Sequence, residues 1–249
     1  MNRVYPDLAA LSRAAAELFA AEARRAVATH SRFVVLLAGG ETPGGTYRFL
    51  ATNPLRDQVP WSAVHVFWGD ERCVPGDDPR SNQWMARRTL LDHVPVPAAH
   101  IHPIYCDSSP LEAAAAYEEL LCAFFTGGPP RFDLVFLGLG ANGHTASLFP
   151  GTAALDERQR WAVEVYVAEE GLHRVTLTAS VINQSTLVVF LVAGEGKAAV
   201  LREVLEGKPD PHLLPARLIN PESGELLWLV DRAAARLLHG SAGDDGFTG

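Results

Sequence analysis

Apolar and polar positions along this chain follow two periods. Short unbroken apolar runs, Phe33 to Leu37, Ala63 to Phe67, Leu134 to Leu137, Leu187 to Val192 and Leu226 to Val230, have the length and composition of buried strands. Between them lie stretches rich in Ala, Leu, Glu and Arg, which predict helices near Asp7 to Thr29, Gly44 to Ala51, Ser81 to Leu91, Pro110 to Phe125, Gly196 to Leu205 and Arg232 to His239. This alternation predicts an α/β fold with a largely parallel sheet and helices covering both of its faces. Residues 161–178, WAVEVYVAEEGLHRVTLT, instead alternate with period two on either side of Glu169 to Gly171, and predict a small additional β-hairpin or a pair of edge strands. There is no internal repeat and no domain-sized linker, so residues 1–239 are expected to form one domain. Residues 240–249 are polar and glycine-rich, and are expected to be a flexible tail.

Composition narrows the function classes. A 249-residue chain with 48% hydrophobic residues has ample material for a continuous core. No apolar run approaches the roughly 20 residues of a membrane span, and the N-terminus lacks a basic region followed by an apolar core, which together predict a soluble cytoplasmic protein with no membrane partner. The three cysteines, Cys73, Cys106 and Cys122, form no C-x-x-C pair and are expected to be unpaired core or surface residues. A net charge of -8 argues against nucleic-acid binding and requires any anionic ligand to be held by a local cluster of cations.

The most informative stretch is residues 132–151, FDLVFLGLGANGHTASLFPG. An apolar strand runs into a turn in which Gly138, Gly140 and Gly143 let the backbone bend and approach a ligand, and the turn presents His144 where open α/β sheets bind their ligands. The same letters spell G-x-G-x-x-G, but a dinucleotide site needs a long helix to open directly after them, and Pro150 and Gly151 interrupt one. His144 is therefore read as an acid or base. The other histidines have less distinctive settings. His100 and His102 are spaced like neighbours on a strand, with no acidic or cysteine cluster beside them to complete a metal site. No G-x-S-x-G elbow provides a serine nucleophile.

A second glycine turn, LLAGGETPGGTYRFL, follows the first strand. Gly39 and Gly40 free backbone amides at a helix start, where unpaired N–H groups and partial positive charge favour a phosphate, and the Thr42 hydroxyl adds a donor. The plainer alternative is a tight turn with Thr42 as a helix cap. The loop after the second strand carries Asp70, Glu71, Arg72, Asp77, Asp78 and Arg80, among which Arg72 is suited to fixing a carbonyl or phosphate oxygen, or else to joining a solvated network of charges. Arg174 in the hairpin and Lys197 just after the strand Leu187 to Val192 are further candidate phosphate partners, although a residue of either kind, taken alone, is more often just a surface residue.

Taken together, the blocks LAGGETP, VFWGDERCVPGDDPRSN, FDLVFLGLGANGHTASLFPG, RVTLTASVIN, LVAGEGKA and PARLINPESGELLWLVDRAA resemble the 6-phosphogluconolactonase family over roughly residues 5–238. The related sugar-phosphate isomerases and deaminases are similar up to the histidine and diverge at TASLFPG. The resemblance implies a Rossmann-like fold of the sugar-phosphate isomerase type, a phosphosugar lactone as substrate, no cofactor and no required metal, in a monomer or small homo-oligomer. It implies that His144 activates the water that opens the lactone, with Arg72 or nearby amides stabilising the oxyanion. It also implies that Gly39, Gly40, Thr42, Arg174 and Lys197 hold the phosphate.

Two positions depart from that family. Asn142 stands where an aspartate often precedes Gly-His; its carbonyl can still orient the imidazole, which completes a candidate catalytic set of His144, Arg72 and Asn142. Glu41 stands where the glycine turn often has serine, and its carboxylate must point away from a bound phosphate. The rival functions are a sugar-phosphate isomerase or deaminase on the same scaffold, and a non-catalytic sugar-phosphate binder.

Overall fold

The computed structural model describes residues 2–208 and 210–239. Its strands are β1 (Asn2–Tyr5), β2 (Phe33–Leu37), β3 (Val64–Trp68), β4 (Asp70–Arg72), β5 (Ile101–His102), β6 (Leu134–Leu137), β7 (Ala162–Val167), β8 (Leu172–Leu177), β9 (Leu187–Val192) and β10 (Glu225–Asp231). The helices are α1 (Leu8–His30), α2 (Glu41–Leu50), α3 (Leu55–Gln58), α4 (Asn82–Thr89), α5 (Pro110–Phe124), α6 (Ala179–Ile182), α7 (Ala198–Glu206) and α8 (Arg232–Ala235). Seven strands form a parallel sheet in the order β1-β10-β9-β6-β2-β3-β5, and β4, β8 and β7 form a separate antiparallel sheet.

Every residue of β2, β6 and β9 is buried. Because successive side chains point to opposite faces, such strands are covered on both sides, which explains their continuous apolar runs. Local signals set the helix ends. Asp7 caps α1 by accepting from the Ala10 amide at 2.8 Å, and Leu11, Ala15, Phe19, Ala23 and Ala26 form its buried stripe. Ser109 and Glu112 build a capping box around Pro110 at the start of α5.

Several boundaries differ from expectation for identifiable reasons. Helix α2 begins at Glu41, ahead of Gly44, because Gly40 takes φ +99° and turns the chain immediately after β2. A side chain at Gly45 would place its Cβ 2.6 Å from Ser12 Oγ, so glycine here permits close packing of α2 on α1. The charged loop after β3 contains strand β4, too short to show alternation, and its pairing with β8 extends the expected hairpin to three strands. Lys197 lies in a 3-10 turn preceding α7, and the last helix is the single turn Arg232–Ala235. The edge strand β1 carries no apolar run, since its residues are exposed or half-buried.

The cysteines require a correction. Cys73 and Cys106 form a disulfide with Cα atoms 5.0 Å apart, whereas Cys122 is free and exposed. The pair is 33 residues apart in sequence and meets only because the segment after β4 passes the segment after β5. The expected tail, 240–249, lies outside the described residues. No helix among the described residues is long and apolar enough to cross a membrane.

Strand order fixes where a ligand can sit. From β2 the chain proceeds outward through β3 to β5, then returns to β6 on the other side of β2 and proceeds outward through β9. Such reversals open a crevice at the carboxyl ends of the two central strands. Here the segments leaving those ends are the turn Gly39 to Thr42 and the turn containing His144.

Candidate active site

A cleft of about 420 Å³ lies at this switch point. It brings together Gly39, Gly40 and Thr42 from the turn after β2, Arg72 from β4, His144 from the turn after β6, Arg174 from β8 and Lys197 from the turn after β9. Asn142 stands behind the histidine rather than in the cleft wall. Its Oδ1 accepts from the His144 amide at 3.2 Å and lies 2.6 Å from His144 Nδ1. An amide oxygen cannot donate, so Nδ1 carries the proton and Nε2 is left with its lone pair.

Glycine is required beneath the imidazole, since a Cβ at Gly140 would lie 2.1 Å from Nδ1. The ring also stacks on Phe149, with centroids 4.0 Å apart. The His144 pKa is lowered to about 4, chiefly by burial; Asp70 and Glu170 oppose the shift, while Arg174 and Lys197 add to it. The imidazole is therefore neutral at pH 7, with an unprotonated nitrogen available.

The three cations differ in how far they are committed. Lys197 is half-buried, has no ion pair among the described residues, and has its pKa lowered by burial. Arg72 donates through one terminal nitrogen to Arg80 O at 2.7 Å and Asn82 Oδ1 at 2.8 Å, its buried Nε has no partner, and it forms no ion pair among the described residues. Arg174, with a side chain 4% exposed, meets both Glu170 oxygens at 2.5 Å, Ser147 Oγ at 3.4 Å and Asp70 Oδ2 at 3.5 Å. Its guanidinium also lies 5.3 Å from the centre of the Phe149 ring.

The segment around Gly39 to Thr42 behaves as a helix start without a side-chain cap: α2 has none, so Thr42 is not the cap that the plainer reading required. The first amides of α2 have no partners within the helix. Glycine at position 39 is needed because a Cβ would meet Asn82 Oδ1 at 1.8 Å. Glu41 is exposed yet still borders the cleft.

Sequence reasoning missed a second set of residues. Asp70 is buried and accepts from Ser147 Oγ at 2.6 Å and Asn82 Nδ2 at 3.2 Å. Glu71 is also buried and accepts from the amides of Arg72, Asn82 and Gln83 and from Ser81 Oγ, thereby tying β4 to the start of α4. Burial raises the Glu71 pKa while these hydrogen bonds oppose it. Two carboxylates between a strand and a capped helix are a weak signal of such a knot. Asp78 and Arg80, by contrast, pair in solvent. His100 and His102 stand outside the cleft and stack with His65, whose Nδ1 is 3.2 Å from His102 Nε2. Among the described residues there is no group of three or more ligating side chains able to hold a metal ion.

The model of the glucosamine-6-phosphate isomerase/6-phosphogluconolactonase family matches residues 6–228. The chain belongs to this family. Among its relatives, a 6-phosphogluconolactonase of Nostoc sp. is 42% identical over 235 residues, covering 93% of this chain and 95% of the relative. One of Synechocystis sp. is 44% identical over 218 residues, covering 86% and 88%. The solved structure of 6-phosphogluconolactonase from Trypanosoma brucei is similar with a TM-score of 0.84 at 29% identity, covering 96% of this chain and 98% of that one. The parallel sheet and the small antiparallel sheet are thus the family's fold.

Proposed function

We propose that the chain hydrolyses 6-phospho-D-glucono-1,5-lactone to 6-phosphogluconate, in the oxidative pentose phosphate pathway, with His144 as general base. The observation that carries the chemistry is the 2.6 Å contact between His144 Nδ1 and Asn142 Oδ1, which leaves Nε2 unprotonated in a cleft holding three cations. The relatives' shared name supports the substrate.

A water attacks the carbonyl carbon of the lactone while His144 Nε2 takes its proton. The negative charge on the carbonyl oxygen is met by the uncommitted N–H groups of Arg72 or by nearby backbone amides. The tetrahedral species then collapses, the ring C–O bond breaks, and the departing ring oxygen takes the proton back from His144. The new carboxylic acid ionises into solvent. No covalent enzyme intermediate is needed. The phosphate is held by the amides of Gly39 and Gly40 ahead of α2, the Thr42 hydroxyl, Lys197 and Arg174, which fix the ring's position without entering the bond changes.

The test is hydrolysis of freshly generated lactone above its spontaneous rate. The native protein is expected to accelerate opening, and His144→Ala to lose about 10²- to 10⁴-fold in kcat while keeping its affinity for inorganic phosphate. Acceleration surviving in His144→Ala would remove the histidine from its role. Phosphosugar binding without acceleration by native protein would favour a non-catalytic binder.

A further inference from the structure

Glu170 has no part in the steps above, yet its side chain is the closest partner of a cleft cation. Residues 167–171 form a tight turn between β7 and β8, with the Glu170 amide bonded to Val167 O and Gly171 at φ +62°. The turn aims the Glu170 carboxylate back along β8, where both oxygens reach one terminal nitrogen of Arg174. The Glu170 pKa is lowered first by this hydrogen bond, and also by the charges of Arg174, Arg72 and His144, so the carboxylate lies within the field of the cleft. The two partners differ in freedom. Arg174 is 4% exposed and is fixed from its other side by Asp70, Ser147 and the Phe149 ring, whereas the Glu170 side chain is 39% exposed. An exposed glutamate can swing into solvent and leave the guanidinium where it stands.

We propose that Glu170 is a specificity-determining residue, an internal anion that competes with the substrate's phosphate for Arg174 and so sets the affinity of the cleft for phosphate esters. The proposal rests on the reading of Arg174 as a phosphate contact. A phosphate oxygen seeks the same N–H groups that the carboxylate holds, since the guanidinium fork matches the geometry of both. While Glu170 stays in place, Arg174 faces two carboxylates, Asp70 and Glu170, and its charge is fully offset. An incoming dianion must displace Glu170 or bind against its repulsion. Either route weakens binding of the whole substrate, in its ground state and transition state alike, and leaves the bond-breaking step unaffected.

The experiment compares native protein, Glu170→Gln, Arg174→Ala and the double variant at fixed ionic strength. It measures kcat and KM for the lactone, the competitive Ki of inorganic phosphate, and the thermal midpoint as a check on folding. Glu170→Gln is expected to lower KM and Ki together by about two- to tenfold, with kcat little changed. In the Arg174→Ala background the same substitution is expected to have no such effect. Unchanged KM and Ki in Glu170→Gln would overturn the proposal, and so would a rise, which would make Glu170 a support for Arg174. If Arg174→Ala leaves the phosphate Ki unchanged, the phosphate assignment of Arg174 is what fails, and the proposal falls with it.

Discussion

Replacing Asn142 by aspartate puts a full negative charge where the neutral amide oxygen now lies 2.6 Å from His144 Nδ1. The protonated imidazole gains an ion pair that the neutral ring does not, so the pKa must rise. For charge centres about 4 Å apart, an effective dielectric constant of about 20 gives roughly 4 kcal/mol, or about 3 pKa units. The site is open to water on one side, and opposite charges at this range shift pKa values by about 1 to 3 units. The pKa should therefore move from about 4 to between roughly 5 and 7. The active form of a general base is unprotonated, so activity falls as pH drops through this value. The acid limb of kcat/KM, which reports the free enzyme, is expected near pH 4 in the native protein and one or more units higher in Asn142→Asp. The assay is initial-rate lactone hydrolysis from acid to neutral pH, corrected for spontaneous opening at each point. Coincident acid limbs would refute the argument, since they would mean either that Asn142 does not contact the titrating group or that His144 is not the base.

Gly140→Ala should behave as a displacement of the histidine: its Cβ would fall 2.1 Å from Nδ1, and kcat is expected to drop about 10²-fold. An unaltered kcat would show that the imidazole position seen here is not the productive one. The disulfide between Cys73 and Cys106 closes a loop with a sequence separation of 33, for which chain entropy gives about 3 to 4 kcal/mol of stability. Denaturant titration with and without a dithiol reductant should show a loss of that size, and identical midpoints would deny the cross-link a role in stability. Inorganic phosphate at about 100 times its Kd should add about 2.7 kcal/mol to the native protein, raising the thermal midpoint. The gain should shrink in Lys197→Ala, and an equal gain in both proteins would place the anion elsewhere.

Much of this site could be read from local sequence because its parts are local. His144 stands out through the glycines around it, one of which, Gly140, makes room for the imidazole four residues away. The helix caps at Asp7, Ser81 and Ser109 likewise lie within three residues of their partners. What was hidden is held together by contacts between distant segments. Ser147 and Asp70 are 77 positions apart, and Arg174 and Asp70 are 104 apart. Strand β4 has three residues, too few to display an alternation, and it exists because β8 offers it a partner. The cysteine pair was missed for the same reason: spacing carries no information on which loops pass each other. Glu170 is the instructive intermediate case. It is four residues from Arg174, but its contact depends on the turn between β7 and β8 folding back, which a reading of either residue alone does not reveal.

The division of labour between the two sheets explains why a chain of net charge -8 can hold a phosphate. The parallel sheet presents backbone amides, the neutral histidine and one lysine at the ends of its strands. Both arginines come from the small sheet, where Arg72 and Arg174 are directly opposite one another across the β4–β8 pair. Like charges in that position are destabilising. Here the repulsion is offset by neighbours, Asp70 and Glu170 against Arg174 and the Asn82 oxygen against Arg72. The compensation is incomplete at Arg72, because an amide oxygen carries only a partial charge and its Nε is buried without a partner. A dianion entering the cleft would meet Arg72 and Lys197, which have no ion pair among the described residues, and would gain Arg174 only where Glu170 gives way.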